Sequence, residues 1–255
     1  MYSKLATSGI LSFFEKIIRA HPLLYILIRS LVRFTNIFEK DFDGVKLINF
    51  KKKVNIIDVG ASDGIATKFL NNNLNTGTIF CVEPNLHYVN ILKKIKIKNI
   101  IVKPFAIGNK SKSIYIYFPR YKLFNKNFDI IPYTSYGTQL LKHYLLDFKF
   151  KKNIKIIKEK IFIRKLGKLN KKIDLIKIDT NGNELFVLKG ILNIIKKDKP
   201  ALIVEDSPDT YKIKKLLKKY SYEAFYYSLD LKKFTSKKNK HALNLYYLQK
   251  KHLEN

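Results

Sequence analysis

The residues that could bind a ligand lie where predicted strands end, and the clearest group is VNIIDVGASDG, from Val54 to Gly64. The apolar residues before Asp58 are typical of a buried strand, and those after Gly64 have the spacing of a helix. A loop between a strand and a helix suits a nucleotide, because the helix N-terminus offers free N–H groups and a positive dipole end. Glycines allow close approach of the backbone. We therefore predict a nucleoside-type ligand at Gly60, Ser62 and Gly64.

The spacing and charge of this loop indicate the kind of ligand. A dinucleotide fingerprint has the pattern G-x-G-x-x-G for a pyrophosphate, whereas this loop has G-x-x-x-G with Asp58 and Asp63 beside it. Acidic groups suit a ligand that carries cationic groups, and S-adenosylmethionine carries an ammonium and a sulfonium. A tight turn without a ligand is the alternative, since short glycine motifs also occur by chance.

Glu83 and Pro84 follow a second predicted strand, Thr78 to Val82. An acidic side chain at a strand end, about 20 residues after a glycine loop, can accept hydrogen bonds from both hydroxyls of a ribose. The third predicted strand leads into Phe105 and Ala106, which we expect beside the adenine. The predicted cofactor-binding residues are Asp58, Gly60, Ser62, Gly64, Glu83, Pro84, Phe105 and Ala106.

Asp179 ends another predicted strand, in IDLIKIDTNGNELFVLKG, and Glu205 and Asp206 end the next one. Three roles are open. The three carboxylates could hold a divalent cation through oxygen ligands. Asp179 could instead take or orient a hydroxyl proton, with Glu205 hydrogen-bonded structurally. Asp179 could also merely accept N–H bonds in the turn at Asn181 and Gly182. We predict Asp179 and Glu205 as catalytic residues and assign no metal ligand.

The charge of the chain bears on its partners. Fifty Lys and Arg residues against twenty Asp and Glu give a formal net charge of +30, which favours polyanions. The lysines are dispersed and arginine, the usual phosphate fork, is scarce, so we expect no specific nucleic acid. A nucleic-acid methyltransferase or binder remains the alternative.

Cysteine usage and hydropathy bear on the compartment. Cys81 is the only cysteine, so no disulfide can form within the chain, and we interpret it as a core residue in a reducing compartment. The sequence has neither the pattern of a secretory signal nor an apolar run of about 20 residues that could span a membrane. We therefore predict a cytoplasmic protein.

Predicted strands alternate with helices, which is typical of an α/β fold with a doubly wound, mainly parallel sheet and an antiparallel edge strand. Residues 51–255 form the predicted main domain, with an aromatic insertion at 119–150 that we interpret as an acceptor wall between Tyr121 and Tyr144. Residues 1–50 are predicted to form a helical cap. The cap is basic and amphipathic, so peripheral contact with the inner face of an anionic membrane is a second interpretation.

With these motifs together, the sequence resembles the FkbM family of S-adenosylmethionine-dependent methyltransferases. The similar segments are IIDVGASDG, VEPN at 82–85, AIGN at 106–109, DLIKIDTNGNELFVLKG and KPALIVE. The resemblance implies a class I, Rossmann-like methyltransferase fold with seven strands, the last antiparallel. It also implies methyl transfer to hydroxyls of sugars, glycans, polysaccharides or secondary metabolites.

Two positions depart from the family pattern. Val-Glu-Gly usually follows the strand-end aspartate, but here Thr180-Asn181-Gly182 follows it, and Leu166-Gly167 replaces a frequent Leu-Asp. Because Asn181 lacks the usual carboxylate, either the acceptor chemistry could be altered or the activity could be lost. A methyltransferase-fold scaffold without turnover is therefore a further alternative.

Overall fold

A computed structural model of the chain describes residues 39–123, 126–129, 154–167, 169–238 and 242–254. The predicted helical cap at 1–50 lies almost wholly outside these residues and stays a prediction. Contact clustering divides the chain into two compact units. The first contains Asn36–Lys112 and Ile163–Asn255, and the second contains Ser113–Phe162.

The first unit is built on an eight-stranded sheet. Its strands are β1 (Val54–Val59), β2 (Thr76–Val82), β3 (Ile100–Lys103), β8 (Leu175–Ile178), β9 (Ala201–Glu205), β10 (Glu223–Ser228), β11 (Lys233–Thr235) and β12 (Asn244–Leu248). Their order in the sheet is β11-β10-β12-β9-β8-β1-β2-β3. β8, β1, β2 and β3 are parallel neighbours, and β9 is parallel to β8. The mainly parallel sheet predicted from the sequence is therefore confirmed.

Two details of the sheet differ from the prediction. β12 is antiparallel to both β9 and β10, so the expected antiparallel strand lies inside the sheet and not at its edge. An eighth strand, β11, pairs antiparallel with β10 and forms the edge. β11 has only three residues, and so short a segment gives no readable alternation.

Apolar layers cover both faces of this sheet. Helices α3 (Glu184–Gly190), α4 (Leu192–Asp198) and α5 (Thr210–Lys218) contribute to the layer that contains Ile57 and Ile176. The other layer contains Ile56 and Leu175 and is covered by α1 (Ile65–Asn73), α2 (Leu86–Leu92) and a 3-10 helix, Lys40–Leu47. Successive strand residues thus face opposite layers, which explains the near-continuous apolar runs in the sequence. A further 3-10 helix spans Lys250–His252.

Shorter strands complete the described chain. β4 (Ala106–Ile107) pairs in parallel with the end of β7 (Ile154–Arg164), through Ile163 and Arg164. In the second unit, β7 neighbours β5 (Lys112–Leu123), and β5 pairs antiparallel with β6 (Lys126–Asp129). The start of the predicted irregular insertion is therefore a hairpin. Residues 130–150, with most of the predicted acceptor wall, lie outside the described part.

No helix within the described ranges is long and apolar enough to span a membrane. Cys81 is fully buried in β2, as predicted, and burial together with the nearby Asp58 raises its pKa to about 12. The thiol therefore stays protonated and packs as a small core group.

The first 3-10 helix is held to the sheet by a buried carboxylate. Asp41 is 2% exposed, and its Oδ2 accepts the backbone N–H groups of Leu243 and Asn244, each at 2.8 Å. The Tyr246 hydroxyl donates to the Asp41 carbonyl at 2.7 Å. These bonds connect residues far apart in sequence and fix the helix beside β12.

Asp41→Ala is expected to lower the free energy of unfolding by about 2–4 kcal/mol, because it leaves two backbone N–H groups without an acceptor. Urea unfolding measures the change. Asp43→Ala in the same helix is the matched control, since the side chain of Asp43 is exposed and pairs with exposed Lys46. We expect a change within about 0.5 kcal/mol. Equal losses in the two variants would contradict the anchoring role.

Candidate functional site

The register of the parallel strands brings the predicted site residues to one edge of the sheet. The paired positions near the carboxyl ends of β1, β2, β8 and β9 are Val59, Val82, Ile178 and Val204. The next residues along these four strands are Gly60, Glu83, Asp179 and Glu205. Residues from four distant parts of the sequence therefore share the carboxyl edge, where open α/β sheets bind their ligands.

A buried ion pair lies directly beneath this edge. Lys177 of β8 is opposite Asp58 of β1 in the register, and its Nζ lies 3.2 Å from Asp58 Oδ1. The same Nζ lies 3.5 Å from Asp179 Oδ2 and donates to the Gly60 carbonyl at 3.1 Å. Burial lowers the pKa of Lys177, but Asp58 and Asp179 outweigh it and the net shift is upward. The ammonium therefore stays charged and joins the two strand ends.

Asp58 occupies a structural position within this arrangement. Its side chain is fully buried, and its Oδ2 accepts the Thr67 hydroxyl of α1 at 2.6 Å. The carboxylate thus connects β1, β8 and α1 beneath the loop. The structure gives Asp58 a role in holding the loop, and direct cofactor contact by this residue stays a prediction.

The glycine loop has the backbone conformation that the sequence predicts for glycine. Gly60 has φ +74° and Gly64 has φ +79°, in the left-handed region. A Cβ on Gly60 would lie 1.9 Å from the Asp179 carbonyl oxygen, and one on Gly64 would lie 2.2 Å from Ile95 Cδ1. The two glycines are therefore needed for the loop to pack beside β8 and α2, whether or not a ligand is bound.

Glu83 closes the other side of the loop. Its Oε2 accepts the Ser62 N–H and its Oε1 accepts the Asn85 N–H, each at 2.9 Å. Burial raises the pKa of Glu83 to about 7, although these two backbone bonds lower it. Each carboxylate oxygen keeps one lone pair for a further donor. Pro84 follows Glu83 and precedes Asn85, the N-cap of α2, which accepts the N–H groups of His87 and Tyr88.

Phe105 and Ala106 lie beyond the end of β3. Lys103 pairs with Val82, so β3 ends beside the strand that carries Glu83, and the Phe105 N–H donates to the Lys103 carbonyl at 3.0 Å. Phe105 is partly buried against the apolar layer, and Ala106 pairs with Ile163. This arrangement is consistent with the predicted adenine side, which stays a prediction.

Four carboxyl groups form an acid cluster, defined by Glu39, Asp179, Glu184 and Glu205. Burial, the charges of Asp179 and Glu184, and a hydrogen bond with Asp179 raise the pKa of Glu205 to about 9. Glu205 is therefore protonated at neutral pH and hydrogen-bonded to Asp179. Glu39 accepts the Asn244 amide at 2.7 Å, and burial and Asp179 raise its pKa to about 7. The side chain of Asp179 is 37% exposed, so its carboxylate is accessible from solvent.

The turn after β8 is closed by Glu184, not by Asp179. Glu184 Oε1 accepts the N–H groups of Thr180 and Gly182, each at 3.0 Å, and the Thr180 hydroxyl at 3.2 Å. The interpretation that Asp179 merely holds this turn is therefore wrong. Glu184 Oε2 is buried and has no hydrogen-bond partner within the described part of the chain.

The three-carboxylate cation site considered for Asp179, Glu205 and Asp206 is not formed. Asp206 accepts the Thr210 hydroxyl at 2.6 Å and pairs with Lys238, so its carboxylate is engaged with α5 and the chain after β11. Among the residues that the structure describes, no three His, Cys, Asp or Glu side chains are grouped to hold a metal ion. The position of Asp206 thus removes the third ligand of that hypothesis.

Comparison with known proteins identifies the family. The sequence matches the methyltransferase FkbM domain over residues 58–227, which is more than half of the chain. The chain belongs to the FkbM methyltransferase family. The match contains the glycine loop, Glu83, the turn after Asp179, and Glu205. It confirms the resemblance predicted from the sequence.

One solved structure supports the fold, and a second has a weaker similarity to it. The FkbM methyltransferase from Methylobacillus flagellatus KT has a TM-score of 0.50 and 15% identity, over 78% of this chain and 44% of that one. This chain therefore spans less than half the length of that protein. Precorrin-6y C5,15-methyltransferase from Geobacter metallireducens GS-15 has a TM-score of 0.43 and 13% identity, over 82% of this chain and 87% of that one. No curated protein matches the sequence significantly.

Three residues at the carboxyl edge were not predicted from the sequence. Lys177 had a readable signal, because a lysine inside the buried apolar strand LIKI requires a charged partner. Glu184 had a weaker one, since a glutamate four residues after Thr180 can close a turn. Glu39 had none, because it reaches the acid cluster only through the tertiary fold.

Glu205→Gln is expected to stabilise the protein increasingly as pH rises. The folded state holds the Glu205 proton up to about pH 9, whereas the unfolded chain releases it near pH 4.5, so wild-type stability falls across this window. Glutamine keeps a donor toward Asp179 and does not titrate. Melting temperatures of both proteins from pH 5 to pH 9 measure the effect.

Exposed Glu223→Gln on β10 is the control, and its melting-temperature difference from wild type should be constant with pH. A constant difference for Glu205→Gln would show that Glu205 is ionised in the folded protein.

Proposed function

We propose that this chain is an S-adenosylmethionine-dependent methyltransferase that transfers a methyl group to a hydroxyl of a sugar, a glycan or a related small molecule. The observation that carries the proposal is the shared edge: an accessible carboxylate, Asp179, lies beside the glycine loop and is connected to it through Lys177. This adjacency supports the proposal of a nucleoside site next to a group that accepts a proton.

The residues at the loop fit this cofactor. Glu83 keeps one acceptor position on each oxygen, which suits the two hydroxyls of a ribose. The Nδ2 of Asn85 is buried and has no partner among the described residues, so it offers a donor to a ligand. When bound, S-adenosylmethionine supplies an electrophilic methyl group on a sulfonium.

Asp179 is an oriented and exposed carboxylate to which an acceptor hydroxyl could donate. A hydroxyl is a poor nucleophile while protonated, and a positioned base assists it. The Lys177 ammonium lies on one side of the carboxylate, and protonated Glu205 donates to it on the other. Both contacts fix the orientation of Asp179, and orientation contributes much of the rate in a displacement. Glu205 then acts as a positioning residue.

The exposed carboxylate of the acid cluster favours an acceptor that carries a hydroxyl group. Asp179 is 37% exposed, whereas Glu184 Oε2 is buried. A sugar hydroxyl can therefore donate to Asp179 at the surface of the cluster. The sugar preference also follows from the family resemblance. The acceptor wall at Tyr121–Tyr144 belongs to the proposal as a prediction.

Two other functions are separated by binding measurements. A nucleic-acid enzyme should bind RNA, and its affinity for RNA should fall steeply as the salt concentration rises. The proposed sugar methyltransferase should show no such dependence. A scaffold should bind S-adenosylmethionine without consuming it. Release of S-adenosylhomocysteine with a panel of sugar acceptors would support the proposed enzyme, and its absence with tight cofactor binding would support the scaffold.

The affinity for S-adenosylmethionine is expected to rise between pH 6 and pH 8 and then level off. Burial raises the pKa of Glu83 to about 7. Only the ionised carboxylate has both oxygens free of a proton, so only this form can accept hydrogen bonds from both ribose hydroxyls. Glu83→Gln should bind about tenfold or more weakly, with a flat pH profile. Calorimetry at several pH values measures this.

Glu39→Gln is the matched control for the cofactor measurement, since burial also raises the pKa of Glu39 to about 7. This variant should keep the wild-type pH profile. If the rise disappeared in Glu39→Gln but persisted in Glu83→Gln, the assignment of the ribose acceptor would be wrong.

Asp179→Asn is expected to reduce kcat about 100-fold or more while cofactor affinity stays near the wild-type value, because the amide cannot take a proton. Methyl transfer to an accepted sugar, assayed with and without a chelator, measures the effect. Asp209→Asn is the control, since Asp209 pairs with Lys212 on α5. Full activity of Asp179→Asn would remove Asp179 from the chemistry, and loss of wild-type activity with the chelator would require a metal.

A further inference from the structure

A cleft of about 390 Å³ lies at the opposite edge of the sheet from the acid cluster. Its residues precede β1, β8 and β9, or follow β12 in the antiparallel direction, so it is at the amino ends of the parallel strands. We call it the basic cleft. It is defined by Phe50, Lys51, Lys52, Lys172, Lys199 and Lys251.

The carboxylates in the wall of the basic cleft are committed to the backbone. Asp174 Oδ2 accepts the Asn55 N–H at 3.0 Å, and Asp198 Oδ2 accepts the Ile173 N–H at 3.0 Å. Both side chains therefore hold the starts of strands. Glu254 pairs at 3.3 Å with Lys250, which is outside the cleft. The five lysines are exposed, and none of them forms an ion pair within the described part of the chain.

The positive charges of the cleft act on one another. Partial burial lowers the pKa of Lys251, and the ammonium groups of Lys172 and Lys199 lower it further, against the opposing effect of Asp174 and Asp198. Repulsion among three ammonium groups is thus only partly offset by the protein. A bound anion would remove this repulsion.

The cleft is held in shape by a neutral histidine. His252 Nδ1 accepts the Gln249 N–H at 2.9 Å, and the ring is also hydrogen-bonded to the backbone of Lys199. Burial and the nearby Lys251 lower the pKa of His252 to about 4, so the ring is neutral at pH 7. The Asn49 N–H donates to the His252 carbonyl at 3.0 Å. The backbone that carries Lys199 and Lys251 is therefore fixed before a ligand binds, which favours affinity.

We propose that the basic cleft binds a small molecule through a multivalent phosphate group, such as a diphosphate. Several ammonium groups around one cleft match the several charges of a diphosphate, and charge-assisted hydrogen bonds to phosphate are strong. The Phe50 ring is an apolar contact for the rest of the ligand. This proposal does not depend on methyl transfer at the other edge.

Calorimetric titration with inorganic diphosphate tests the proposal. The triple variant Lys172→Gln, Lys199→Gln, Lys251→Gln should bind about tenfold or more weakly than wild type, since each lost contact costs a charge-assisted bond. The matched control replaces Lys93, Lys94 and Lys96, three exposed lysines in the segment between α2 and β3, with Gln. It makes the same change in net charge and should bind within about twofold of wild type.

Lys199→Gly separates binding from folding. Lys199 has φ +50°, in the left-handed region where glycine carries no steric cost, so this variant should be no less stable than wild type. Its diphosphate affinity should still fall. Retained affinity in Lys199→Gly and in the triple variant would overturn the proposal, as would equal losses in the cleft and control variants, which would indicate diffuse attraction to a basic surface.

Vesicles distinguish a free ligand from a lipid headgroup. If the phosphate belongs to a lipid, vesicles that carry a diphosphate headgroup should bind the wild type more strongly than the triple variant, and inorganic diphosphate should compete. If the ligand is free in solution, such vesicles should not bind while inorganic diphosphate does. If the wild type bound neither probe at moderate salt, the proposal would be wrong. That result would not affect cofactor binding at the other edge.

Discussion

The Lys177 ammonium is the interaction on which the site depends. It is almost fully buried, lies within 3.5 Å of both Asp58 and Asp179, and donates to the Gly60 carbonyl. A buried carboxylate such as Asp58 costs several kcal/mol unless a charge or hydrogen bonds compensate it. One ammonium thus stabilises the base of the glycine loop and the end of β8 together. Any change in its position would affect the glycine loop and Asp179 at once.

The same constraint explains the protonation of the acid cluster. A single ammonium compensates the charges of Asp58 and Asp179. Glu39 and Glu205 are partly buried near other carboxylates without a comparable compensation, so the pKa values of both glutamates rise. A protonated Glu205 can donate to Asp179, whereas an ionised one would repel it. Packing several acids around one lysine therefore keeps Glu205 protonated at neutral pH, and it leaves Asp179 as the exposed carboxylate of the cluster.

Local patterns predicted much of this structure and missed what depends on distant contacts. The glycine loop, Glu83 and the mainly parallel sheet follow from strand–loop–helix patterns within a few dozen residues. The pairing of Lys177 with Asp58 joins residues over 100 positions apart, and Glu39 and Asp41 act through β12 at the far end of the chain. Strand β11 was too short to show a period. The N-terminal cap and most of the acceptor wall stay predictions.

The departure at Asn181 can be interpreted from the geometry of its turn. Asn181 is exposed and has φ +52°, a left-handed conformation that asparagine adopts more easily than glutamate. The turn is closed by Glu184, which accepts the N–H groups on both sides of Asn181, so a carboxylate at 181 is not needed to hold it. Asp179 is oriented by Lys177 and Glu205, neither of which involves position 181. Asparagine at position 181 is therefore compatible with the contacts that hold the turn and orient Asp179.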